Sequence, residues 1–257
     1  MRDSHVVGSA IVNRDDARRM GSNVNKGISF LDADSILATE APVGAGSLDL
    51  VETEMVTAVS SEDMLRANVY GLLARLLTSP PSDETLEIVR GLADADDGTE
   101  MGTALANLGS LAARTPRAQA EDEFTRLFFG FGAGGEITPT ASFYQTGFIN
   151  DKPLANLRQD LLEMGIAVSG LNKEPEDHIA FLCEVMHGLI TGGLGSRNQK
   201  GIGLDKQKSF FQRHLAAWAA RLFSDLEGAN AAVLYMPVGT VGKLFMAVEA
   251  EAFEMAA

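Results

Sequence analysis

A chain of 257 residues with 46% hydrophobic content is long enough to bury one large core or two smaller ones. Its 35 acidic residues outnumber 21 basic ones, and the formal charge of −14 argues against a nucleic-acid partner, which needs a basic stripe to displace counterions. The same excess suits a basic partner or simply solubility, and a single cysteine, Cys183, excludes an internal disulfide and fits a reducing compartment.

Residues 1–59 are rich in Gly, Ser, Asp and Ala and show no sustained helical period, so they read as a mostly disordered extension with a short helix near Asp32–Ala38. Regular signals begin at Ser60. Ser60 and Asp63 form a capping box ahead of the apolar series Met64, Leu65, Val69, Leu72, Leu73, Leu76 and Leu77, which Pro80-Pro81 stops. Ser82 caps a second helix with Leu86, Val89 and Leu92 inward, and a third carries Met101, Leu105, Leu108 and Leu111. Thr115-Pro116 opens a fourth, with proline at its first position and Phe124, Leu127 and Phe128 buried. Gly130–Thr140 breaks the pattern. Pro153 then opens a helix through Leu154, Leu157, Leu161 and Leu162, ended by Gly165. Pro175 stands near the start of the next, whose apolar face runs from Ile179 to Ile190. After the glycine-rich loop 192–203, one long helix is expected from Asp205 to Leu226, and the tail from Ala229 to Phe253 holds one or two more. The fold class is all-α.

Catalytic signatures are sparse. Four histidines without HExxH spacing and a single cysteine give no metal-site pattern, and no metal or bound cofactor is expected. Asp177 and His178 are adjacent, so on a helix they point about 100° apart and do not make a dyad. Cys183 lies on an apolar face and reads as a buried thiol. The glycines of Gly130–Gly135 lack the lysine of a phosphate loop. No apolar run approaches the ~18 residues of a membrane span. Arg18-Arg19 is followed by Gly21, Ser22 and Asn23 instead of an apolar segment, so no export signal is read and the cytoplasm is the expected location.

Four motifs stand in order: Glu123-Phe-Thr-Arg-Leu-Phe-Phe-Gly130; Pro139-Thr-Ala-Ser-Phe-Tyr144; Glu174-Pro-Glu-Asp-His178; and Phe211, His214, Leu215 and Trp218 on a late helix. Together they resemble the TorD/DmsD/NarJ family of dedicated chaperones for molybdenum enzymes, over roughly residues 62 to 257. Two departures are Phe124, where tyrosine is common, and Thr140 in place of a large aromatic.

The resemblance implies a bundle of roughly ten helices in two lobes, about 60–170 and 171–257, hinged near Glu174–His178. It implies a protein that is not an enzyme. Such a protein binds the twin-arginine signal peptide or the apo form of a molybdopterin-dependent oxidoreductase until the cofactor is inserted. The wording of the second and third motifs, with Gly147-Phe148 and Lys152-Pro153-Leu154 between them, is most similar to the formate dehydrogenase-associated branch. A signal peptide joins a basic stretch to an apolar one, so its receptor needs carboxylates beside an apolar groove. Glu174, Glu176 and Asp177 are the carboxylates expected to meet arginines, and His178 a peptide carbonyl. Phe124, Leu127, Phe128, Phe143 and Tyr144 are expected to line the apolar part, with Pro139, Ser142 and Pro175 in the same motifs, core packing being the competing reading for each aromatic. A monomer is expected, with a dimer as the alternative. Rival readings are a nucleotide- or cofactor-handling enzyme built on Gly130–Gly135 and Asp177-His178, and a permanent assembly subunit of the oxidoreductase.

Overall fold

The computed structural model describes residues 59–130, 134–166, 168, 174–194 and 203–255. The expected extension, including its short helix, lies outside these residues apart from Val59, which packs against the core. Among the described residues the chain forms ten α-helices and no strand, the all-α class its periodicity predicts. They are α1 Ser61–Thr78, α2 Asp83–Arg90, α3 Glu100–Ala112, α4 Arg117–Phe124, α5 Ala141–Thr146, α6 Lys152–Glu163, α7 Ile179–Thr191, α8 Leu204–His214, α9 Ala219–Glu227 and α10 Tyr235–Met255. A π-turn, Thr125–Phe129, extends α4.

Local signals place most of these boundaries. The hydroxyls of Ser60, Ser82 and Thr99 each accept a backbone N–H two or three residues into α1, α2 and α3, satisfying donors that a helix start leaves orphaned. At α6 the Asp151 carboxylate accepts the N–H of the first helical residue, Lys152, with Pro153 in the first turn. Three expectations shift. Pro116 is the N-cap of α4, so helical residues begin at Arg117. Leu65 and Leu162, expected inward, are 56% and 72% exposed, because each lies at the edge of its helix's apolar stripe. The single long helix expected over 205–226 is two helices, α8 and α9, joined by a tight turn. At that turn the Trp218 indole N–H donates to the His214 carbonyl at 2.6 Å, taking the acceptor a continuing helix would give to a backbone donor.

One apolar cluster runs through the molecule from Ala67 to Phe253. Its central contacts are α1 along α7 and α9 along α10, with α10 also covering α3. Close approach of α9 and α10 depends on two glycines. A Cβ on Gly239 would lie 2.5 Å from Glu227 N, and one on Gly242 2.2 Å from Phe223 Cδ1. Gly242→Val is therefore expected to lower stability by about 1–3 kcal/mol through overpacking. Urea unfolding reads this as a lower midpoint at unchanged slope; an unchanged midpoint would mean the interface yields freely.

Polar groups tie the two ends of the core. Arg66 on α1 grips Glu249 on α10 through Nε at 2.6 Å and Nη2 at 2.8 Å, and the Tyr70 hydroxyl donates to the same carboxylate at 3.0 Å. Burial works against the Arg66 charge, but the bonds to Glu249 and Asp63 outweigh it and hold the guanidinium firmly protonated.

Candidate functional site

The second motif meets the third and the fourth, while the first faces the start of α10. In the first, Glu123 is fully buried and faces inward to the start of α10, where it accepts three backbone N–H groups: Val233 and Tyr235 at 2.7 Å and Leu234 at 3.0 Å. Phe124 and Leu127 are 2% and 0% exposed and belong to the core. Phe128 is half-buried, stacked near Phe124 and Tyr235, while Phe129 is exposed. The π-turn closes with Gly130 N–H on the Thr125 carbonyl at 2.7 Å. Gly130 itself has φ 63°, and a Cβ there would strike the Gly134 carbonyl at 1.9 Å, so only glycine fits.

The second and third motifs pair directly. Thr140 and His178 form an isolated antiparallel bridge, with Ala141 N–H on the Asp177 carbonyl and Ile179 N–H on the Pro139 carbonyl, both at 2.9 Å. Asp177 is fully buried: its Oδ2 accepts from Ser142 N–H at 2.8 Å and from the Ser142 hydroxyl at 2.5 Å. The same hydroxyl accepts the Asp151 N–H at 3.1 Å. Ser142 thus joins α5, the start of α6 and the segment before α7. Asp177, expected to meet arginines, faces Ser142 and not solvent.

His178 is the N-cap of α7. Its Nδ1 accepts the Ala180 N–H at 3.2 Å, and burial pushes the imidazole pKa down to about 4. The ring is therefore neutral at pH 7 with its proton on Nε2. Asp177 and His178 are thus occupied with separate partners and form no catalytic pair. Among the described residues no group of three or more His, Cys, Asp or Glu could hold a metal ion. Cys183 is buried, and burial raises its thiol pKa.

Two open cavities flank the Ser142–Asp177 junction. One, of about 640 Å³, is bordered by Thr138, Phe143, Tyr144, Arg221 and Asp225. Tyr144 links the second motif to the fourth, with its ring 5.5 Å from that of Trp218 and its hydroxyl donating to Asp225 at 3.0 Å. Phe143 is 41% exposed, and Phe148 and Ile149 just beyond α5 are 72% and 60% exposed, so this side offers an apolar surface. In the fourth motif His214 Nε2 meets Asp160 at 2.7 Å and Phe211 packs on Phe253, both inside the protein.

The other cavity, of about 560 Å³, is bordered by Glu174, Pro175, Glu176, His178, Glu184 and Asn150, with Arg158, Thr78 and Phe181 completing the wall. Glu176 is held by Arg158 at 2.7 and 3.1 Å. Burial would raise its pKa, but that guanidinium outweighs burial and leaves it below the usual carboxylate range. Glu174 is exposed. Glu184, Asn150, Thr78 and Arg158 are wall residues that the motifs do not contain. Glu184 looks in the sequence like any polar position on an apolar helix; only the tertiary neighbours make it a cavity residue.

Residues 94–224 match the family described as the nitrate reductase delta subunit. The chaperone protein TorD of Vibrio parahaemolyticus is 28% identical over 174 residues, covering 66% of this chain and 71% of that one. The chaperone protein TorD of Photobacterium profundum is 31% identical over 164 residues, covering 59% and 73%. A crystal structure from Archaeoglobus fulgidus, described as a redox enzyme maturation protein, aligns with a TM-score of 0.49 at 17% identity, covering 71% of this chain and 94% of that one. No described helix is long and apolar enough to cross a membrane.

Proposed function

The chain belongs to the nitrate reductase delta subunit family, the NarJ/TorD group, and on that premise we propose that it is a cytoplasmic maturation chaperone for a molybdopterin-dependent oxidoreductase. It binds the client's basic–apolar signal peptide, or the apo-enzyme, and releases it once the cofactor is in place. Its part is retention, and no bond-breaking step is assigned to it. A formate dehydrogenase is the proposed client, on the wording of the second and third motifs.

The observation that carries this reading is the pairing of a carboxyl-lined cavity with an exposed apolar surface on either side of one junction. Among the described residues, Glu174, Glu176 and Glu184 border the cavity beside the Arg158 guanidinium, and Phe143, Phe148 and Ile149 are exposed beside α5. That is the pattern a peptide with arginines ahead of an apolar stretch requires. The hinge between lobes about 60–170 and 171–257 belongs to the same proposal: the Thr140–His178 bridge and the Ser142–Asp177 bonds are the contacts that would part to admit a client deeper.

Calorimetry with a synthetic peptide of paired arginines followed by apolar residues tests the reading. Affinity is expected to fall between low salt and 1 M salt, where the screening length shrinks to about 3 Å. Affinity that stays flat across that range would remove the electrostatic half of the proposal, and absence of binding would remove all of its peptide half.

A further inference from the structure

Glu184 has no hydrogen-bond or ion-pair partner among the described residues, although most of its carboxyl is withdrawn from water at the cavity wall. The described bases of α1 and of the cavity wall are bound elsewhere. From α6, Arg158 is bound to Glu176; from the segment before α7, Glu174 is exposed and His178 is neutral. On α1, which packs along α7, Arg66 is bound to Glu249, and Arg75 reaches Glu84 through Nη2 at 3.7 Å while its Nη1 has no partner among the described residues. Burial is the cause that raises the Glu184 pKa, to about 8, with no described base offsetting it. A second group points the same way. His178, 7% exposed, borders the same cavity, and its Nε2–H has no acceptor among the described residues. One wall therefore presents an unpaired carboxyl and an unpaired N–H donor.

We propose that Glu184 is the seat for a cationic side chain of the bound peptide, guanidinium or ammonium, with His178 Nε2–H donating to a backbone carbonyl of the same peptide. This rests on the peptide-binding reading above and names the residue that recognises charge. The empty cavity holds Glu184 protonated at neutral pH, and a cation seated there draws the carboxyl into its charged form, so one proton leaves as the peptide binds. The O–H bond of the carboxyl breaks and its proton passes to solvent. Recognition of the basic stretch is then coupled to pH, in the direction of tighter binding as pH rises. His178, His187 and His214 all titrate below their ordinary range because burial opposes their charge, the bonds to Ala67 and Asp160 notwithstanding, and the Cys183 thiol is pushed far up. Glu184 is thus the described group placed to titrate between pH 7 and 9.

The test uses the full chain and three peptides: paired arginines followed by an apolar stretch, the lysine counterpart, and the citrulline counterpart, which keeps the shape without charge. Calorimetry at pH 6, 7, 8 and 9, in two buffers of different ionisation enthalpy, reads affinity and proton release together. For the arginine peptide, affinity is expected to rise about tenfold or more between pH 6 and 8 with close to one proton released near pH 7. Glu184→Gln is expected to flatten that slope, and the citrulline peptide to show none. A slope shared by arginine and lysine peptides assigns the seat to charge; a slope with arginine alone assigns it to the guanidinium fork. Should the arginine peptide bind wild type with a flat pH profile, or should Glu184→Gln keep the slope, the Glu184 seat is overturned while the peptide-binding function stands. Should the arginine peptide fail to bind at every pH, both fall.

Discussion

Replacing Glu123 with alanine is expected to lower stability by roughly 3–5 kcal/mol. Its carboxylate accepts the Val233, Leu234 and Tyr235 N–H groups, the donors that the start of α10 leaves without helical partners. Hydrogen bonds to a charged acceptor contribute about 1.5–3 kcal/mol each, and two of the three donors sit on buried residues that water does not readily reach. Glu123→Gln separates charge from shape. The amide can keep the bonds to Val233 and Tyr235 through its oxygen, but its NH₂ then confronts the Leu234 N–H, so an intermediate loss of about 2 kcal/mol is expected. Thermal unfolding reads both: at this chain length 1 kcal/mol moves the midpoint by about 2–4 °C. A Glu123→Ala midpoint within about 2 °C of wild type would show that the α10 start is held by packing instead.

Glu184→Gln is expected to act in the opposite direction and to depend on pH. In the unfolded chain this carboxyl loses its proton near 4.5; in the folded chain it holds it up to about 8. Between those values the folded state binds more protons, so the contribution of Glu184 to stability is fully present below pH 4.5 and is lost as pH rises through about 8. Glutamine does not titrate. The stability of the variant relative to wild type is therefore expected to grow by roughly 2–4 kcal/mol between pH 4.5 and 8, the upper bound being set by 1.36 kcal/mol per unit. Urea titrations at pH 4.5, 6 and 8 give the difference directly. A difference that does not grow with pH would place the carboxyl in water. An acid that lowers stability near pH 8 fits a binding position, where strain at a site is offset by the rest of the fold.

Most of the fold was legible because its signals are local. Ser60, Ser82 and Pro153 mark helix starts that the structure places within a residue or two, and the apolar face of α7 is continuous from Ile179 to Ile190. The break between α8 and α9 was not, since Leu215 and Trp218 fit the helical period perfectly well; what ends α8 is the Trp218 indole bonding back to His214, a side-chain event that periodicity does not encode. Helix α5 was hidden for another reason: six residues are too few to show a period, and it is held by Thr140 at its start and Gly147, φ 82°, at its end. The site divided along the same line. Resemblance drew attention to Ser142 and Asp177, which do meet, and to His178, which bonds to Ala180 instead, but it could not say that Asp177 would face Ser142 and not the cavity. Glu184 carried no local signal at all. Its character comes from Thr78, Asn150 and His178, brought together from three separate stretches of the chain.

Helix α10 has a consequence for how the molecule is made. Its bonds reach across most of the sequence: Glu249 to Arg66 over 183 positions, the Tyr235 hydroxyl to the Leu76 carbonyl over 159, and the Tyr235 amide to Glu123 over 112. A ribosome works from the other end. Helix α1 leaves it with the apolar face that α7 and α10 will cover, and Glu249, Arg66 and Tyr70 cannot meet until nearly the whole described chain has emerged. At about 5–20 residues per second, the synthesis of the stretch between Arg66 and Glu249 takes on the order of 10–40 s. For that interval the nascent chain carries uncovered apolar surface of the kind it is proposed to shield in its client, and its own folding is completed only after translation of α10.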